Sequence, residues 1–218
     1  MTTPKPAWPL SPLKRCADAV FALMLLVCLW PLVVVLALGV LFSLGRPVFF
    51  VQSRPGLGGR PFRLIKFRTL AGSEAETESA EGKRPPNGFA SFLRASGLDE
   101  LPELLNILKG EMSLIGPRPL LMRYLERYTP EQARRHEVRP GLTGWAQVHG
   151  RNAVNWPERL DLDVWYVDHA TWQTDLRILV LTLRQILSRT GTAEPGEFQG
   201  TVPCSDDGSG SPQPHPEG

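Results

Sequence analysis

The chain has 218 residues, 42% of them hydrophobic and 21% charged, with a formal net charge of +2. Those averages exclude a disordered, collagenous or disulfide-stapled chain, and the length admits one domain plus an anchor. They conceal an uneven distribution. Residues 16–44 hold 29 positions with one charge, Asp18, whereas residues 191–218 hold 11 Gly or Pro, five acids and no Lys or Arg. The tail therefore carries −5 and leaves +7 on residues 1–190. The cysteines Cys16, Cys28 and Cys204 form no CxxC or Cys/His cluster, so neither a zinc site nor a disulfide framework is expected.

The apolar run from Cys16 to Leu44 is about twice as long as a signal-peptide core and lacks a small-residue cleavage site. As a straight helix it is about 43 Å long, enough to cross a hydrocarbon layer of about 30 Å. Pro31 lies near its midpoint and removes a backbone donor, which predicts a kink and two halves of about 20 Å each. Both flanks are basic: Lys5, Lys14 and Arg15 precede the run, and Arg46, Arg54, Arg60, Arg63, Lys66 and Arg68 follow it. Positive flanks favour the cytoplasmic side. A hairpin bent at Pro31 satisfies both; a kinked span leaves one outside. Sequence physics leaves the two open, with Asp18 or Ser43 available to partner exposed backbone at a bend.

Residues 47–52 and 61–67 are β-prone and joined by a Gly-rich turn, predicting a β-hairpin. Gly56, Gly58 and Gly59 lack the strand-then-helix context of a phosphate loop. Residues 71–88 are polar and rich in Pro and Gly, a surface loop. Leu101, Leu104, Leu105 and Leu108 make a helical stripe, with Pro102 in its first turn and Gly110 at its end, so the helix is expected to start near Asp99–Leu101. Further helix is expected over 118–137, interrupted at Pro130, and irregular chain over 139–152. Leu176, Leu179, Leu183, Ile186 and Leu187 form one more apolar face, either packed on a core or lying on a membrane surface. Residues 191–218 read as disordered.

Asp99 and Glu100 stand at the mouth of the first of these helices, with Arg94 five residues upstream and Arg118 held in Gly116-Pro117-Arg118-Pro119. Helix N-termini favour carboxylates and phosphates. Carboxylates framed by placed guanidiniums suit phosphate chemistry, where Arg donates in pairs and a carboxylate holds Mg²⁺ or attacks phosphorus.

KFRT (66–69), LRASGLDELPELLNILKGEMSLIGPRPL (93–120), RPGLTGWAQVHGRN (139–152) and D-x-x-Y-V (163–167) occur here in this order. In these motifs the chain, from about Lys14 to Arg189, resembles the bacterial sugar transferases, specifically the small initiating type of monotopic polyprenyl-phosphate phosphoglycosyl transferase. The resemblance implies an α+β, mainly helical fold: a re-entrant N-terminal membrane helix kinked at Pro31, a small β-hairpin and a cytoplasmic helical catalytic domain with surface-lying helices. It implies transfer of a phosphosugar from a UDP-sugar to undecaprenyl phosphate with release of UMP, the first membrane step of polysaccharide or glycoconjugate synthesis. Asp99 would be the nucleophile forming a covalent phosphosugar intermediate. Glu100 would help bind Mg²⁺ with Asp99 or take a proton from the acceptor. Arg94 and Arg118 would hold phosphates and nucleotide, with Lys66, Arg68 and Arg151 as further substrate-binding positions. Lys14, Arg15, Asp18 and Pro31 match the membrane anchor. The implied setting is the bacterial inner membrane, with the catalytic domain facing the cytoplasm.

Two places depart from the family pattern: residues 82–91 read GKRPPNGFAS where a basic, Thr-containing run is usual, and His149 replaces a small or amide residue. The division is residues 1–45 as anchor, 46–190 as catalytic domain and 191–218 as acidic tail. A membrane-tethered binding module is the competing class, because Phe49, Phe50, Phe62 and Phe67 interleave with the basic run 46–68. Alternation in a half-buried hairpin explains that pattern equally, and no nucleic-acid motif accompanies it, so no nucleic-acid partner is expected. A glycosyl transferase releasing UDP is the alternative among enzymes. The sugar, the glycan pathway and the oligomeric state are not legible.

Overall fold

A computed structural model describes residues 8–70, 88–149 and 155–188. The expected loop 71–88, apart from its last residue, as well as Arg151 and the acidic tail, lies outside them. The first long element is α1 (Pro12–Leu44). Ser11 caps it by accepting from the Lys14 amide at 3.2 Å, and Pro12 occupies the first turn, where no N–H is needed. Gly45, at φ 74°, ends it with its N–H on the Leu41 carbonyl. The helix continues through Pro31, and it is long and apolar enough to cross a membrane. Buried positions recur every four residues, Lys14, Asp18 and Ala22 in the first half and Leu36 and Val40 in the second. Val20, Met24, Val27, Trp30, Val34 and Phe42 are exposed around the rest of its surface.

Strands β1 (Phe49–Pro55) and β2 (Pro61–Phe67) form the expected antiparallel hairpin, with Phe49 opposite Phe67 and Pro55 opposite Pro61. The first strand lies two to three residues later than expected. Gly58 and Gly59, at φ 65° and 73°, supply the left-handed backbone its turn requires. Helix α2 (Gly88–Ser96) packs on α1 where Phe89 lies over Gly39; a Cβ there would come within 2.4 Å of the ring. Gly97, at φ 68°, then leads into a 3-10 turn, Leu98–Glu100, before α3 (Glu103–Lys109). The acid pair thus sits on the tighter turn ahead of the α-helix, because Pro102 serves as its N-cap residue. Gly110 ends α3 as expected. Asn106, fully buried in α3, accepts from the Ile65 amide (3.1 Å) and donates to the Arg63 carbonyl (2.7 Å), so an amide side chain continues the β2 ladder.

Further along, β3 (Ser113–Ile115) pairs in parallel with β4 (Gly141–Thr143), across the region 118–137. That region is less helical than expected: 3-10 turns at Met122–Arg127 and Arg134–Glu137 flank one short helix, α4 (Pro130–Ala133). Pro130 starts that helix instead of interrupting one, since Thr129 and Gln132 form a capping box around it. The stretch expected to be irregular holds β4 and α5 (Trp145–His149). Gly116, Gly141 and Gly144 explain the tight junction: a Cβ on any of them would fall within 2.1–2.3 Å of facing backbone atoms. Helix α6 (Trp156–His169), an addition to the expected elements, buries Leu160, Val164 and Val167 at helical spacing.

Helix α7 (Trp172–Ser188) closes the described fold. Ile178 is its buried apolar anchor, and Leu179 packs partly against the same core. Leu176, Leu183, Ile186 and Leu187 face outward together with Trp172 and Val180. The core-packed reading of that face is therefore overturned for all of its members except Leu179. A buried polar network ties α1 to this end of the fold. Asp175 accepts from Lys14 Nζ (2.7 Å), Trp8 Nε1 (2.8 Å) and the Tyr166 hydroxyl (2.7 Å), while Asp18 accepts from Ser113 Oγ (2.7 Å). Arg15 donates to the Leu108 carbonyl at the end of α3.

Candidate active site

The 3-10 turn carrying Asp99 and Glu100 faces β2 and the loop after β3. From β2, Lys66 Nζ reaches Glu100 Oε1 at 2.8 Å and Glu103 Oε1 at 3.1 Å. From the loop, Arg118 Nη2 meets the same Glu100 oxygen at 2.7 Å. Arg94, in the last turn of α2, adds its field at Asp99. Of the sequence-derived candidates, Asp99, Glu100, Lys66, Arg118 and Arg94 are brought together. Arg68 lies elsewhere: its guanidinium donates to the Leu44 and Gly45 carbonyls and caps the C-terminus of α1. Lys14, Arg15 and Asp18 lie in the joint between α1 and the rest of the chain.

The carboxylates differ in environment. Burial raises the Asp99 carboxyl above its ordinary range, and Lys66, Arg118 and Arg94 offset this incompletely. Asp99 is 7% exposed, and no described residue donates a hydrogen bond to it. For Glu100 burial also acts upward, but the two cations on its oxygen outweigh it and hold the group well below the usual range. Glu103, 2% exposed, is pushed up to about 7 by burial, against Lys66 and with help from the neighbouring Glu100 charge. Burial pulls the Lys66 ammonium down, yet Glu100 and Glu103 more than compensate and raise it, so it stays charged.

Glu103 is a site residue that sequence reasoning missed. Its only signal is the three-residue step from Glu100, which places both on one side of a turn. The described residues contain no group of three or more metal-ligand side chains. Mg²⁺ needs none, because it usually takes one or two protein carboxylates and completes its shell with phosphate oxygens and water. The carboxylate of Asp99, which no described residue bonds, suits such an ion, with Glu100 beside it.

Cations paired with Glu100 and lending their field to the adjacent Asp99 make an arrangement that suits phosphoryl chemistry. A family model described as bacterial sugar transferase matches residues 10–189. The chain is 48% identical over 184 residues to the sugar transferase EpsL of Bacillus subtilis, covering 82% of this chain and 89% of that one. It is 38% identical over 186 residues to a UDP-glucose:undecaprenyl-phosphate glucose-1-phosphate transferase of Caulobacter vibrioides, covering 80% and 70%. A protein of the same name from Xanthomonas campestris is 39% identical over 190 residues, covering 81% of this chain but 39% of that longer one. The chain belongs to the bacterial sugar transferase family, and it is a transferase.

Proposed function

We propose that the protein transfers a phosphosugar from a UDP-sugar to undecaprenyl phosphate and releases UMP, through a covalent intermediate on Asp99. The observation that carries this reading is a buried carboxylate, unbonded by any described residue, beside Lys66, Arg118 and Arg94. An Asp99 oxygen attacks the phosphorus next to the sugar. The bond from that phosphorus to the bridging oxygen breaks, UMP leaves with the electron pair, and an acyl phosphate remains. An oxygen of the lipid phosphate then attacks the same phosphorus, and Asp99 departs as a carboxylate. Arg118, Arg94 and Lys66 screen the diphosphate and orient it for in-line displacement. Bound Mg²⁺, held by Asp99 and Glu100, would add charge neutralisation. The lowered pKa of Glu100 favours a part in holding cations over one in accepting a proton.

The acceptor keeps its chain in lipid, so the site belongs at a membrane surface. Three features support that setting: the exposed apolar surface of α1, the outward face of α7 with Arg177 and Arg184 on the same helix, and the +7 of residues 1–190. Pro31 and the two basic flanks support a re-entrant α1 with both ends in the cytoplasm of a bacterial cell. The names of the relatives make UDP-glucose the first donor to try.

The test is to mix the membrane-bound protein with Mg²⁺ and a panel of UDP-sugars, without lipid acceptor, and to measure intact mass after quenching. A sugar-phosphate increment mapping to Asp99, absent from Asp99→Asn, is expected. An Asp99→Asn protein that keeps the increment and near-normal turnover overturns the assignment.

A further inference from the structure

Arg135 and Asp163 are the most deeply buried ion pair of the described residues, with side chains 1% and 2% exposed. They lie outside the cluster around Asp99. Arg135 comes from the 3-10 turn after α4, Asp163 from α6, and the guanidinium is shared among three partners. Nε and Nη2 donate to Asp163 Oδ2 at 3.1 and 2.7 Å, and Nη1 donates to the Tyr128 hydroxyl at 3.1 Å. Nη2 also donates to the main-chain carbonyl of Arg118 at 2.7 Å. That carbonyl belongs to the residue whose side chain meets Glu100.

We infer that Arg135 and Asp163 are positioning residues for the transfer: they grip the Arg118 carbonyl and so set where its guanidinium stands over the acid pair. The inference rests on the phosphosugar-transfer reading of the site under Proposed function. Arg118 lies between two prolines, which fix their own φ, lack N–H donors and restrict the residue before them. Neither proline donates, so the segment is held through its carbonyls: Pro117 accepts from the Gly141 N–H (3.0 Å), Pro119 from Arg54 (3.4 Å), and Arg118 itself from Arg135 (2.7 Å). The same face of α6 carries the Tyr166 hydroxyl, which donates to Asp175 at 2.7 Å and only lies near the Ile115 carbonyl, at 3.2 Å. Asp163 and Tyr166 are three residues apart on one helix face, so the D-x-x-Y spacing ties that face to Arg135 on one side and to Asp175 on the other. For stability alone, a buried ion pair brings little over an apolar pair of similar volume. An apolar pair could not hold a carbonyl oxygen.

The experiment is a double-mutant cycle on the full chain in lipid nanodiscs: Arg135→Lys, Arg118→Lys and both together. Lysine at 135 keeps its charge beside Asp163 but lacks the planar fork that serves Asp163 and the Arg118 carbonyl at once. The cycle is read as kcat/KM for UMP release with a UDP-sugar, and as the affinity for added UMP by calorimetry. Arg135→Lys should lower both by about 10–100-fold in the parent, up to the loss that misplacing a positioning group by about 1 Å can cause. In the Arg118→Lys background the loss should shrink below about threefold, the non-additivity of coupled neighbours. Equal losses in both backgrounds would overturn the inference, since a merely structural defect ignores residue 118. If Arg135→Lys does not fold by thermal unfolding, Tyr128→Phe enters the same cycle, with an expected parent loss of about threefold to tenfold and the same criterion. A parent that binds UMP but never releases it from a UDP-sugar defeats the proposed reaction, and the affinity cycle still decides the role of Arg135.

Discussion

Glu100 and Glu103 share Lys66 yet are driven in opposite directions, because only Glu100 also receives Arg118. The consequence for Glu103 is a dependence of stability on pH. Its carboxyl rises from an ordinary 4.5 to about 7 in the fold. Between those values the folded chain keeps a proton that the unfolded chain has released, so the stability this group contributes is full below about 4.5 and lost as pH rises towards 7. Glutamine at this position cannot titrate. The melting temperature of Glu103→Gln relative to the parent should therefore climb from pH 5 to pH 8; a constant difference across that range would refute the assignment. At this scale the motifs named Asp99, Glu100, Arg94, Lys66 and Arg118, which the fold brings together, because residue type and phosphate chemistry constrain each other. They did not disclose Glu103 or Arg135. Glu103 reads as one more acid in a helix turn, and Arg134-Arg135-His136-Glu137 reads as a solvated charge run. Packing of α6, Tyr128 and the Arg118 loop around that run buries Arg135. Arg68 shows the reverse case: its place beside Lys66 in KFRT suggested substrate, while its bonds go to the end of α1.

Among the elements, the hairpin was legible because alternation in the first part of β2 maps directly onto its buried Phe62 and Leu64. The three-residue strands β3 and β4 were not, since their pairing depends on three glycines meeting across a long connection. For α1 the sequence states length and apolarity, and the fold adds which side is taken. Lys14 and Asp18 are committed to Asp175 and Ser113, so the start of α1 is fastened to the domain that carries the acid pair. A re-entrant helix predicts that both ends share one side of the membrane. Cysteines placed singly at Lys5 and at the exposed Ser53, in a background lacking Cys16, Cys28 and Cys204, should both resist an impermeant maleimide in intact cells and react after permeabilisation. Labelling of one site alone in intact cells would establish a span.

Across the whole molecule, the near-neutral total hides +7 on residues 1–190 and −5 on the tail. That excess serves two ends in the proposed reaction, attraction to an anionic leaflet and screening of a diphosphate. Neither is visible in the average composition, and the outward apolar faces of α1 and α7 become visible only once the core is known. The anchor, the clustered cations and the acid pair converge on one reaction, whose leaving group tells it apart from ordinary glycosyl transfer. The most direct measurement is therefore the nucleotide released when the membrane-bound protein turns over a UDP-sugar with undecaprenyl phosphate and Mg²⁺. Transfer through Asp99 predicts UMP, formed in step with a lipid diphosphate sugar; release of UDP would contradict it.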